Sequence, residues 1–222
     1  LTSDDEWIRW FEAAWEHREE VVYRELFGEP EGQGIYVLTP AVFERRFGGR
    51  GIDPRWLHHG VLVYPPNDRS GSWKYVTSGL SNAWEDDLPN PHDISGLGTE
   101  FLFETPIRYQ WAIGQVQEIL AFELLLASGA FEGRSLLDDY DRIPLHESIE
   151  PGGTSQLTHI MIAQSHYPRQ YLPSGSFIFQ QLVGISESEA AFARTHDGEA
   201  LQILLTENGA FPVTDPARRV VV

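Results

Sequence analysis

Apolar residues recur at three- to four-residue spacings through Trp7, Phe11, Trp15, Val22 and Leu26, the period of a helix that buries one face. Ser3 with Glu6 has the spacing of a capping box, and Gly28 is a residue that commonly ends a helix. The pattern predicts a helix over about 3–28. At 73–78 the period becomes two: Trp73, Tyr75 and Thr77 fall on one side of a strand, Lys74, Val76 and Ser78 on the other. Gly79 breaks that strand, and a short polar turn leads to Trp84 and the carboxylates Glu85, Asp86 and Asp87.

Between these segments, "GIYVLTP" predicts a short strand and a helix start, with Thr39 as cap and Pro40 in the first turn. "VFERRFGG" predicts a short helix stopped by glycine, and "IDPRWLHHG" repeats the cap-and-proline signal at Asp53 and Pro54. "VLVYPP" and "TEFLFETP" read as strands, and the longest helix is expected within about 107–130, ending near Gly129. Its apolar residues surround most of the cylinder towards the C-terminal end, which implies burial against a sheet. "DDYDRIPLHESIEPGGTS" reads as a long loop with one short strand. "LTHIMIAQ" and "SFIFQQLVGI" read as strands, and "SESEAAFART" and "GEALQILLTENG" as short helices before an extended end. The resulting expectation is a single α+β domain over 1–222, with a mixed β-sheet packed against helices and covered by the long helix.

Charge narrows the partners. Sixteen Lys and Arg stand against 33 Asp and Glu, a formal charge of -17. That balance disfavours nucleic acid and anionic membrane surfaces, which need cations to displace counterions. It favours encounter with a basic protein. Ten carboxylates lie between Asp4 and Glu31 against three arginines, giving the N-terminal helix a negative outer face. The chain has no cysteine, so thiol nucleophiles, disulfides and thiolate metal sites are excluded. No secretory signal or membrane-spanning run is evident, Leu1 suggests a missing start, and a cytoplasmic protein is expected.

The sequence holds no G-x-S-x-G elbow, no phosphate loop and no H-E-x-x-H zinc helix. His146 with Glu147 could form part of a metal or acid–base pair, and His159 sits in an apolar strand. A metal-dependent hydrolase using these three residues is the rival from another class. The working expectation is that the protein is not an enzyme and uses no metal or cofactor. Glu100 reads as a structural residue bonded to nearby loop amides.

The phrase "WKYVTSGLSNAW" resembles a segment of the suppressor of fused family, an aromatic strand running into G-[LM]-S. Supporting segments follow in the family's order: "GTEFLFETP", "WAIGQVQEILAF", "LTHIMIAQ", "FIFQQLVGISESEAAFA" and "TDPARR". Together they cover a family-like core of about 60–220. The resemblance implies the fold of the family's N-terminal domain. In the animal member a second domain helps to clamp a short peptide as an added β-strand. With this chain ending at Val222, a single jaw is expected, and Hedgehog-type regulation is not carried over. Some bacterial single-domain relatives look like immunity proteins encoded beside toxins, so the resemblance implies non-catalytic protein binding. The concrete form is stoichiometric neutralisation of a toxin, a basic one on grounds of charge. A scaffolding domain of a larger assembly is a further alternative, and the oligomeric state is not legible.

By position in that phrase, Tyr75 matches a tyrosine the family uses near its bound peptide, and Asp86 sits where the family places an acidic residue. Trp84 offers a broad amphipathic contact surface. The candidate protein-binding residues are therefore Tyr75, Trp84, Asp86 and Asp87. Core packing is the competing reading for Trp73, Tyr75 and Trp84, because large aromatics contribute greatly to burial.

Overall fold

In the computed structural model, the described residues are 4–32, 34–49, 51–84 and 90–222. The N-terminal helix runs as α1 (Asp4–Glu16), a π-helical turn (His17–Tyr23) and α2 (Arg24–Phe27). The wider turn changes which residues face inward. Ala14, Arg18, Val22, Tyr23 and Phe27 are buried, whereas Trp15 is 43% exposed and its indole N–H donates to Glu19. Trp15 thus departs from the inner face expected of it, and Arg18 departs from the outer, charged one. Gly28 ends the helix as anticipated, while Ser3 lies outside the described residues.

Eight strands form one sheet in the order β1 (Tyr36–Val37), β2 (Gly60–Tyr64), β3 (Trp73–Ser78), β4 (Ile94–Thr105), β8 (Gly175–Ser186), β6 (Leu157–Gln164) and β5 (Arg142–Pro144), with β7 (Gln170–Leu172) paired to β8. Among the described strands the central β4–β8 pair is parallel and the other pairs are antiparallel. Register aligns Val63, Tyr75, Phe103, Leu182 and Ile162 in one row across five strands. Because side chains alternate by strand position, the whole row points to the same face. There it meets α4 (Gln110–Ala127), with Ala112, Val116, Leu120 and Leu124 in the same core.

The opposite face is also covered, by two groups of helices. Leu62, Val76 and Leu102 pack with Tyr23 and Phe27 of the N-terminal helix. Met161, Val183 and Ile185 pack with Leu201 and Leu205 of α6 (Gly198–Glu207) and Ala190 of α5 (Glu187–Thr195). The fold is therefore α+β with helices on both sides of a mixed sheet. Coverage on both faces buries residues the alternating pattern alone would place outside, including Lys74, Glu104 and Gln181. The remaining helix, α3 (Pro40–Phe47), opens after Thr39 with Pro40 in its first turn and closes at Gly48. Among the described residues no helix is long and apolar enough to cross a membrane.

Within α4, Glu123 is 1% exposed; one carboxyl oxygen accepts from Leu137 N–H (3.0 Å) and the other has no partner among the described residues. Burial, with the nearby charge of Asp141, pushes its carboxyl up to about 7. An acid raised in the folded state makes stability fall as pH rises from the unfolded value towards the folded one. The window is 4.5 to about 7. Glu123→Gln, which keeps an acceptor for Leu137, should therefore gain stability over the native chain as pH increases, reaching about 3 kcal/mol more at pH 8 than at pH 4. Urea denaturation at both pH values checks this; an equal difference at the two would contradict it.

Candidate functional site

The strand–turn phrase that stood out in the sequence lies at one end of the sheet. After β3, the turn Gly79–Trp84 is held from behind by Glu100 of β4, which is fully buried. One oxygen of Glu100 accepts from Gly79 N–H (3.0 Å), Ser81 N–H (2.9 Å) and Ser81 Oγ (2.7 Å); the other accepts from Thr77 Oγ1 (2.6 Å). This is the loop-amide role its sequence context suggested. The turn's carbonyls are occupied as well. Asn82 N–H donates to Gly79 O, Leu97 N–H to Leu80 O, Ser95 Oγ to Ser81 O, and Trp84 N–H to Asn82 O.

Arg18 reaches the same turn from the N-terminal helix. It is 1% exposed, donates to Ser78 Oγ (2.8 Å), Ser81 Oγ (3.1 Å) and Asn82 Oδ1 (2.6 Å), and lies 3.9 Å from Glu100. A buried carboxylate and a buried guanidinium are tolerable here because each is compensated by the other and by short polar donors and acceptors. Gly79 completes the packing. Its φ is +138°, and a Cβ there would sit 2.2 Å from the His59 ring. Burial, reinforced by the charge of Arg18, pushes His59 down to about 4, so the ring is neutral at pH 7.

In front of the turn is a cleft of about 290 Å³, bounded by Trp56, His59, Leu80, Asn82, Trp84, Leu97 and the C-terminal end of α4. Asp53 caps the 3-10 turn Pro54–His58 and pairs with Arg55 at 2.7 Å on the cleft wall. Trp84 rests on Phe11 (ring centroids 4.3 Å) and Trp7 (6.2 Å), so α1 supports this wall.

The four sequence-derived candidates separate in space. Trp84 lines the cleft and also packs on α1, combining its two readings. Tyr75 is fully buried in the core beneath α4. Its hydroxyl accepts from Tyr109 N–H (2.7 Å) and donates to Tyr109 O (3.1 Å), tying β3 to the start of α4. In this arrangement Tyr75 acts by packing and presents no surface of its own. Asp86 and Asp87 lie outside the described residues. Arg18 was missed as a site residue because a helical arginine among carboxylates looks like a solvated one; only the π-helical turn directs it inward.

The rival metal site does not assemble. Glu147 is engaged by Arg46 (3.2 Å), and His159 faces Glu187 (3.4 Å) and Thr158. Among the described residues no three His, Asp or Glu side chains converge as a metal-holding group.

Comparison with known proteins was informative on family and fold. The family model described as Suppressor of fused protein (SUFU) matches residues 55–219. A search of curated proteins finds no match. Among solved structures, the Sufu-Fu complex is similar at 21% identity and TM-score 0.64, over 96% of this chain and 92% of that one. A suppressor of fused homolog from Neisseria gonorrhoeae FA 1090 is similar at 19% identity and TM-score 0.61, over 97% and 98% of the two chains. Drosophila Suppressor of Fused is similar at 21% identity and TM-score 0.57, over 73% of this chain and 42% of its own.

Removing the Glu100 carboxylate would orphan two turn amides and take away one of the two carboxylates near Arg18, leaving Glu19 at 3.8 Å. Glu100→Ala should cost about 3–5 kcal/mol in chemical denaturation, and Glu100→Gln, which retains an acceptor, should cost less. Near-native stability of Glu100→Ala would show that the turn does not depend on this carboxylate.

Proposed function

The chain belongs to the suppressor of fused family, and from that premise we propose that it works as a single domain by stoichiometric, non-catalytic binding of a protein or peptide. The observation that carries this reading is the turn Gly79–Trp84: the amides of Gly79 and Ser81 are held from behind by Glu100 while its front lines an apolar cleft. A surface held in place before binding loses less freedom on association. Because the carbonyls of Gly79 to Asn82 already have donors, the cleft recognises side chains rather than adding a strand at the turn itself.

Trp84 supplies the anchor. Its ring lines the cleft and is backed by Phe11 and Trp7, so it offers a partner a supported aromatic surface. Asp86 and Asp87 follow Trp84 in the chain after Glu85, and their charge is the second part of the proposed recognition. Tyr75 contributes from within, by fixing the β3–α4 junction. A similar fold solved in a Sufu-Fu complex supports a protein partner.

The finer form of the proposal is an immunity role in the cytoplasm, with a basic toxin as partner. Its support is the formal charge of -17, which accelerates encounter with a cationic surface. The test uses a purified complex with the cationic partner, followed by stopped flow. Association should slow several-fold between low salt and 0.5 M salt. Asp86→Asn with Asp87→Asn should reduce both the rate and its salt dependence, while Trp84→Ala should weaken binding at least tenfold through faster dissociation. A salt-independent rate would remove the electrostatic part, and unchanged affinity in Trp84→Ala would remove the cleft.

A further inference from the structure

A second cavity, of about 310 Å³, lies between α3, α4 and the edge strand β5. It shares none of its lining with the Gly79–Trp84 cleft, so its role is independent of the function proposed there. Phe47 and Phe122 form one wall with rings nearly parallel (10°, centroids 5.9 Å), and Ile119 and Ile143 complete an apolar floor. The volume falls at the lower end of the range of small-molecule sites, about 300–1,000 Å³.

The charges at its rim are already paired with one another. Arg46 donates to Glu118 (2.6 Å) and Glu147 (3.2 Å), and Arg45 takes the other oxygen of Glu118 (2.8 Å). A charged ligand would have to compete with these pairs. A buried polar group of the lining also remains unused among the described residues. Gln115, 3% exposed, spends its amide N–H on Ile149 O (3.3 Å), and its Oε1 has no donor among the described residues. A buried acceptor left unmade carries a desolvation cost that a ligand donor would relieve. His146 stands at the rim with φ +63°, a left-handed conformation uncommon for non-glycine residues and enriched at ligand sites.

We propose that this cavity binds a small, uncharged, flat aromatic molecule whose ring N–H donates to Gln115 Oε1 while its faces pack on Phe47, Phe122 and Ile143. The apolar walls supply affinity and the single acceptor sets orientation.

Indole is the probe, with indene as its donor-free counterpart, each titrated into the full chain and followed by ligand-observed NMR and methyl shifts. Indole should bind about tenfold more tightly than indene, the discrimination one hydrogen bond gives, and should shift the methyls of Ile119 and Ile143. Gln115→Leu should abolish the preference while retaining indene binding. Ile143→Phe, which fills the cavity and leaves Gln115 intact, should abolish binding of both, so the test survives if Gln115→Leu does not fold. Equal binding of indole and indene, no binding of either, or shifts at Leu80 and Leu97 in place of Ile119 and Ile143 would overturn the proposal. Equal binding would mean that solvent already satisfies Gln115.

Discussion

The end of the sheet that carries the cleft is organised around one buried carboxylate. Glu100 sits on a central strand with no solvent contact and takes donors from the turn on one oxygen and from Thr77 of β3 on the other. A charge in that position is expensive unless fully satisfied, so the chain is constrained to bring Thr77, Gly79 and Ser81 around it. Arg18 supplies the compensating charge, which in turn fixes how the N-terminal helix lies. The π-helical turn at His17–Tyr23 follows from the same demand. It lets Arg18 face the turn while Tyr23 and Phe27 remain on the sheet. One electrostatic requirement therefore sets the turn, the helix and the wall on which Trp84 rests.

The double coverage of the sheet explains where polar residues reside. Lys74 and Glu104 are cross-strand partners, both buried, and Ser72 links them by donating to Glu104 and accepting from Lys74. Burial lowers the Lys74 ammonium below its usual range. The cluster is sealed within the fold rather than presented to a cleft, with the second oxygen of Glu104 left without a partner among the described residues. Burial also shifts His59 down to about 4 and Glu123 up to about 7. Their effects on stability run in opposite directions with pH: His59 loses stability as pH falls from 6.5 towards about 4, Glu123 as pH rises from 4.5 towards about 7. The two slopes overlap and offset each other across mildly acidic pH.

The exposed sheet edges are also shaped by side chains and proline. The short edge strand β1 is blunted because Gln117 donates to the carbonyls of Tyr36 and Val37. At the other edge, Pro144 removes a main-chain donor from β5. Main-chain pairing is thus limited at β1 and at β5.

The sequence by itself determined the family through motifs in order, most of the strands and helices, the mixed α+β class and the acidity. Those are local or compositional properties: alternation gives β3, helical periodicity gives α4, and Gly48 and Gly129 mark stops. It also pointed to Glu100, between Thr99 and Phe101, as a structural residue bonded to nearby loop amides. Strand β4 begins earlier than its alternation indicated because Gly96 and Gly98 interrupt the pattern while the backbone stays in register with β8 after a bulge. Only the tertiary structure decided that Arg18 is internal, that Trp15 is not, that Tyr75 packs beneath α4, and that Gln115 keeps an unpaired oxygen beside a cavity. Each of those depends on contacts between segments far apart in sequence, and neither propensity nor spacing encodes which distant group will arrive to satisfy a buried charge.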